Sequence, residues 1–266
     1  MISLVDDIGR SVTLAAPPRR IVSLVPSLTE TLFFLGCGDA VVGVTRYCEE
    51  PAAAVAERAK VGGTKNPDCE AVRRLDPDLV IVNAEENRRE DVAQLEAWGL
   101  TTFVTFPASL ADTVGLLQRL GQLTDCVARG RELAAELAAA IADVASYRGP
   151  RRSVFCPIWK NPWMTISGGT YIDDVLWTAG GANIFRADAG PYPTTTLAEV
   201  ARRAPEAVLL PSEPYRFSAR DLADLAVLRD TPALRAQRVH LVDGKCLSWY
   251  GPRAAAGLCT VAALLR

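Results

Sequence analysis

Few residues in this chain are of a type and spacing that could do chemistry. They are two adjacent carboxylate pairs, Glu85-Glu86 and Asp173-Asp174, one histidine, His240, and seven cysteines. Adjacent carboxylates are normally solvated or capping groups, so neither pair reads as an acid–base dyad. His240 lies in Arg238-Val239-His240-Leu241-Val242, an apolar alternation that reads as a strand. A single histidine excludes a His-rich metal site, and no G-x-S-x-G elbow accompanies it to build a triad. The thiols Cys37, Cys48, Cys69, Cys126, Cys156, Cys246 and Cys259 form no C-x-x-C pair, which excludes a zinc ribbon or a thioredoxin motif. They read as buried free thiols, which favours a reducing compartment. Gly36-Cys37-Gly38-Asp39-Ala40-Val41 approaches a dinucleotide fingerprint but has Val41 for its third glycine and follows a helix. The expectation is no catalytic residue and no protein-held metal; an α/β enzyme working through Glu85 and Glu86 is the reading of a different class.

Aromatic residues carry more information. Trp159, Trp163, Tyr171, Tyr192, Trp249 and Tyr250 fall in loops or at strand ends. Trp159-Lys160-Asn161-Pro162-Trp163 and Leu247-Ser248-Trp249-Tyr250 each follow a strand. Open α/β sheets bind ligands at those carboxyl ends, and aromatic rings supply rigid apolar area there. Trp98 and Trp177 sit at helical core spacing and read as structural.

The elements that must position these residues alternate. Arg20 to Val25 reads as a buried strand. Ser27-Leu28-Thr29-Glu30 reads as a capping box opening a helix that stops at Gly36. Strands at Val41–Thr45, Leu79–Val82 and Thr102–Thr105 are separated by helices opened at Asn66-Pro67-Asp68, Arg89 and Ser109. A proline-free, Ala/Leu/Glu-rich stretch from Asp125 to Tyr147 predicts one helix about 35 Å long. The rhythm then restarts: strand Ser153–Ile158, helix Thr170–Ala179, helix Leu197–Arg203, strand Ala207–Leu210, helix Ala219–Leu228, strand Val239–Val242 and a last helix from Pro252. Glu70 through Asp78 and Glu199 through Glu206 echo one another, each reading Glu, helix, Arg-Arg, Pro, acid, strand. The spacing therefore predicts an α/β protein with an N-terminal lobe over 1–123, a connecting helix over 124–148 and a C-terminal lobe over 149–266.

Composition agrees with a globular chain. Its 266 residues are 49% apolar and 23% charged, and 29 basic residues balance 31 acidic ones. That leaves no basic footprint for nucleic acid. No apolar run reaches the length of a membrane span. The first residues, Met1 to Asp7, carry no signal-peptide pattern.

Arg20 through Glu30, Val42-Gly43-Val44-Thr45, Leu75 through Ile81, Gly168 through Ile172, Gly180 through Phe185 and Leu197 through Leu210 resemble the substrate-binding proteins of ABC importers for vitamin B12, haem and iron siderophores, the helical-backbone metal receptors. The resemblance spans nearly the whole chain. It implies two Rossmann-like lobes joined by a single long α-helix, with a ligand cleft between the lobes. It implies a monomer that carries a large cofactor-like small molecule to an ABC permease, and a periplasmic or surface location. A native start at Met1 would instead imply a cytoplasmic carrier or sensor. Within the family the aromatic loops most resemble corrinoid binders, with cobalamin as transported ligand and no prosthetic group; haem and ferric siderophores stay open. The residues expected at the ligand are Ser27, Tyr47, Lys65, Asn66, Glu86, Asn87 and Arg88 in the first half. In the second half they are Trp159, Lys160, Trp163, Tyr171, Tyr192, Trp249, Tyr250 and Arg253. Two carboxylates at Glu85 and Glu86 disfavour an anionic siderophore. By position Glu70 and Glu199 match the pair with which the family docks on its permease; both also suit the first turn of a helix.

Overall fold

Short apolar runs become parallel strands in both halves of the chain. The computed structural model describes residues 1–266, which form two units. The first holds Met1–Pro107, Asp112–Ala135 and Tyr250–Pro252; the second holds Ala108–Ala111, Glu136–Trp249 and Arg253–Arg266.

The first unit opens with a hairpin, β1 (Ile2–Val5) and β2 (Ser11–Leu14). Then follow β3 (Ile21–Ser23), α1 (Pro26–Leu35), β4 (Val41–Val44), α2 (Ala52–Ala56), β5 (Ala59–Lys60) and α3 (Cys69–Arg74). After these come β6 (Leu79–Asn83), α4 (Arg89–Ala97), β7 (Thr102–Thr105), α5 (Leu110–Leu123), counted with the first unit from Asp112, and α6 (Val127–Ala145), counted with it as far as Ala135. The five strands pair in the order β5-β4-β3-β6-β7, all parallel. Parallel strands need cover on both faces, which is why β3, β6 and β7 are buried along their whole length. Val22, Leu24, Val61, Val72, Val80, Val82, Leu95 and Val104 make one continuous core.

Two helix starts differ from the sequence reading. Val25, not Ser27, is the N-cap of α1, because Pro26 occupies the first helical turn, where its missing N–H costs nothing. The capping box expected at Ser27 and Glu30 does not form. Likewise Asp68 caps α3 by accepting from the Ala71 amide at 2.9 Å, so Pro67 lies outside the helix. Gly36 ends α1 in the left-handed region at φ 90°. The expected helix over 125–147 is shorter, α6 running Val127–Ala145, about 28 Å. Asp125, at φ 60°, breaks the chain between α5 and α6. These helices approach closely where a Cβ on Gly121 would lie 2.9 Å from the Gly130 Cα.

The second unit contains β8 (Arg152–Phe155), β9 (Pro157–Trp159), β10 (Trp163–Thr165), α7 (Tyr171–Thr178), β11 (Gly181–Asn183), β12 (Thr194–Thr195), α8 (Leu197–Arg203) and β13 (Ala207–Pro211). A 3-10 segment at Ala219–Leu228, α9 (Pro232–Arg235), β14 (Val239–Val242), α10 (Lys245–Ser248) and α11 (Ala254–Leu265) complete it. The parallel sheet runs β11-β8-β13-β14, and β12-β10-β9 form a separate antiparallel sheet. The single strand expected over 153–158 is therefore two strands, broken at Cys156 where the chain changes sheet. Ala219–Leu228 is 3-10 rather than α, and α10 was not foreseen. The echo is visible in the packing. α3 leads into β6 and α8 into β13, and each of these strands is central and fully buried.

Candidate functional site

In the first unit the strand order reverses at β3, whose neighbours β4 and β6 lead away to opposite edges. The carboxyl end of such a strand is a topological switch point, where open α/β sheets leave a crevice. Three expected residues meet there. The Tyr250 hydroxyl donates to Glu86 Oε1 at 2.8 Å. Ser27 is buried beside the phenol, and its Oγ has no hydrogen-bond partner of good geometry. Burial and the Glu86 charge push the Tyr250 ionisation well above the usual phenol range. Gly251 follows at φ 142°, where a Cβ would collide with the Thr31 hydroxyl.

The loop after β6 is held from within. Asn83 Oδ1 accepts from the amides of Glu85 and Glu86 at 2.8 and 3.1 Å. Asn87 is a brace: its Nδ2 donates to the carbonyls of Leu24 and Thr64, and its Oδ1 accepts from the Asn83 amide. Its polar atoms are thus turned to the backbone at the end of β6, just past β3 and at Thr64. Lys65 reaches the Glu85 carbonyl, and Asn66 accepts from Arg46 at 3.4 Å. Arg88 is exposed and grips Asp91 through two bonds of 2.9 Å. Tyr47 stands exposed at the end of β4, with the Arg46 guanidinium over its ring. Phe106, just past β7, is exposed at the same sheet end. The sequence reading missed it because one aromatic after a strand carries no spacing signal.

In the second unit the aromatics form a continuous array. Trp159 is 44% exposed and meets Tyr215 edge-on, with centroids 5.7 Å apart. Tyr215 packs on Phe217, Phe217 stacks on Trp163 at 14° between planes, and Trp163 leans on Phe155 in the core. Tyr215 and Phe217, absent from the sequence reading, are the links between Trp159 and Trp163. Lys160 is committed to Asp221 and Asp224, which raise its pKa. Tyr192 is exposed ahead of β12, whereas Tyr171 opens α7 and is buried.

Trp249 is buried in the same unit, with Lys245 and Arg253 over its ring at 4.8 and 5.7 Å. Glu213 accepts from the Ser248 hydroxyl at 2.9 Å and faces the Trp249 indole; burial raises its pKa. Gly244 admits this carboxylate because a Cβ there would lie 2.6 Å from the Glu213 nitrogen.

Glu70 is exposed in the first turn of α3. Glu199 occupies the first turn of α8, where its amide bonds Thr196 Oγ1. Its carboxylate turns away from the cap to Arg202 and Arg203. Trp98 packs on the core of the first unit. Trp177 departs from the expected core position: it is 40% exposed, with the guanidiniums of Arg151 and Arg186 at 3.6 and 4.1 Å from its ring centre. His240 lies on β14, where burial lowers its pKa. All seven cysteines are free. No helix is long and apolar enough to cross a membrane.

The family model described as periplasmic binding protein matches residues 21–245. A vitamin B12-binding protein of Vibrio parahaemolyticus is 27% identical over 247 residues, 91% of this chain and 88% of that protein. Among solved structures, the periplasmic vitamin B12 binding protein BtuF of Vibrio cholerae superposes with a TM-score of 0.83 at 23% identity, over 93% of this chain and 96% of that one. The periplasmic heme-binding protein RhuT from Roseiflexus sp. RS-1 superposes with a TM-score of 0.82 at 27% identity, over 92% and 97%. The chain belongs to the periplasmic binding protein family.

Proposed function

We propose that this member of the periplasmic binding protein family is a non-enzymatic carrier that captures a corrinoid and hands it to an ABC permease. The observation that carries the reading is the aromatic array of the second unit. It ends in an exposed indole, Trp159, that is backed by rings reaching into the core. A flat macrocycle needs such a rigid apolar platform, and each ring covered contributes roughly 1–3 kcal/mol. A corrinoid arrives with its metal chelated, so recognition falls to faces and edges. The first unit, taken by itself, carries exposed rings at Tyr47 and Phe106 and a polar group at Ser27, Glu86 and Tyr250. Trp163, stacked on Phe217 and leaning on Phe155, ties this array to the core of the second unit. The curated relative named above as a vitamin B12-binding protein supports the choice.

Haem is the second reading, favoured by the likeness to a heme-binding protein. Glu70 and Glu199 are the docking pair of this proposal. Glu199, already gripped by two arginines, would have to exchange them for those of the permease.

The test is a visible absorption titration of the purified protein with cyanocobalamin and with haemin, read together with tryptophan quenching. Saturable quenching by cobalamin that weakens at least about tenfold in Trp159→Ala is expected. Binding of haemin alone would replace this reading by the second.

A further inference from the structure

Two of the seven thiols meet in the first unit. Cys37 stands just past α1, and Cys126 lies in the turn between α5 and α6. The same backbone motif sets both. Each follows a residue in the left-handed region, Gly36 at φ 90° and Asp125 at φ 60°. Each sends its amide back five residues, Cys37 to the Leu32 carbonyl at 3.1 Å and Cys126 to the Gly121 carbonyl at 2.7 Å. That bond closes a Schellman turn and fixes the direction in which the side chain leaves the helix end.

The two turns are held together without help from sulfur. Arg129, in the first turn of α6, donates from Nε to the carbonyl of Phe34, in the last turn of α1, at 3.2 Å. On this frame the Cys37 thiol has the Cys126 thiol and the Thr124 hydroxyl as hydrogen-bonding neighbours. Cys37 Sγ also donates to the Leu32 carbonyl at 3.2 Å, and Cys126 Sγ to the Thr124 carbonyl at 3.5 Å. Both thiols are half-buried, within reach of a reagent. Cys48 is bonded instead to the Thr29 and Thr45 hydroxyls, and Cys156 is enclosed in the core.

We propose that Cys37 and Cys126 are an oxidation site, which a disulfide donor closes into an intrachain disulfide pinning the end of α1 to the α5–α6 turn. The donor is a small-molecule or protein disulfide, the class of oxidant an oxidising compartment supplies. Closure takes two exchanges. The Cys126 thiolate attacks the donor, forms a mixed disulfide and expels one thiol. The Cys37 sulfur then attacks the Cys126 sulfur, loses its proton and expels the second thiol. Two protein thiols are oxidised and one donor disulfide is reduced. Cys126 opens the sequence because burial, and then Cys126 itself, push the Cys37 thiol up to about 12. The influence of Cys126 on that value ends once its sulfur is tied up in the mixed disulfide. The bond closes the chain from β4 through α5 into a covalent loop. Such a loop restricts the unfolded chain, whereas the fold already holds the two turns together.

The test equilibrates the reduced full-length protein with oxidised glutathione, quenches it in acid, alkylates it in denaturant and digests it without reduction. Mass spectrometry is expected to find Cys37 linked to Cys126 as the main intrachain disulfide, two hydrogens lighter than the two reduced peptides together. The oxidised protein is expected to melt about 5 °C or more above the reduced one. Cys37→Ser and Cys126→Ser should each lose the linked peptide and the shift. Cys259→Ser, which removes the exposed thiol, should keep both. The absence of the linked peptide from wild type overturns the inference, with no variant required. A lasting glutathione adduct on Cys126 beside an alkylated Cys37 overturns it too, because the two sulfurs then fail to meet. So does a linked form that melts no higher than the reduced protein, because the bond then distorts the turns it joins. The inference makes no use of the corrinoid reading, and none of these outcomes bears on the ligand.

Discussion

Asn87 separates two readings of one residue. As a ligand contact, its loss would weaken binding and leave stability intact. The structure makes it a brace at 5% exposure, with bonds of 3.2 Å to the Leu24 carbonyl, 2.9 Å to the Thr64 carbonyl and 2.8 Å from the Asn83 amide. Asn87→Ala strips the partner from two carbonyls and one N–H. Each orphaned buried group costs about 1–3 kcal/mol, and water entering the vacated space relieves part of that. The low end of the range applies three times, giving about 3 kcal/mol of lost stability in the first unit. On a unit of this size that lowers its melting temperature by about 10 °C. Urea unfolding followed by far-UV circular dichroism gives the stability change. Hydrogen exchange localises it, because the Asn83 and Asn87 amides should lose protection before those of β3. A loss of stability below about 0.5 kcal/mol accompanied by lost ligand affinity would refute the brace, since a surface substitution costs no more than that.

The second unit carries a pH signature in Glu213. Burial raises its pKa in the fold above that in the unfolded chain, so this contribution to stability is full below about pH 4 and falls as pH rises through the folded value. Glu213→Gln should therefore gain melting temperature relative to wild type as pH rises; a difference that stays constant with pH would show that the carboxyl does not titrate with folding. The thiols should react in an order set by burial: burial pushes Cys37 and Cys156 up to about 12, whereas Cys259 is exposed. Iodoacetamide followed by peptide mass spectrometry should find Cys259 modified first, and early labelling of Cys156 would contradict the buried placement.

Much of the fold was legible because its causes are local. Gly36 ends α1 as its freedom at positive φ requires, Thr170 caps α7 and Thr196 caps α8, and α8 spans 197–203 as its pattern predicts. The α3–β6 and α8–β13 echo survived for the same reason, since a short helix, a turn and a buried strand are specified within about twenty residues. Local pattern failed where two local signals competed. At the start of α1, Pro26 took the first turn ahead of Ser27. At Cys156 an unbroken apolar run concealed a change of sheet, since both strands want the same residue types.

The site was legible only as a set of residue types in the loops after strands. Composition cannot tell an aromatic ring that faces outward from one that supports it. Trp159 ends β9 and Trp163 opens β10 four residues later, yet one is exposed and the other stacks on Phe217. Trp177 has helical core spacing but lies exposed among arginines, because spacing fixes a face of the helix and not what covers it. Asn87 is of a type common in any polar loop, and only its bonds to Leu24, Thr64 and Asn83 make it a brace. The Tyr250–Glu86 bond joins residues 164 positions apart. Periodicity and capping act over a few residues and are written in the sequence. A contact across that distance depends on the packing of every strand and helix that brings its partners together, and the tertiary structure alone decides it.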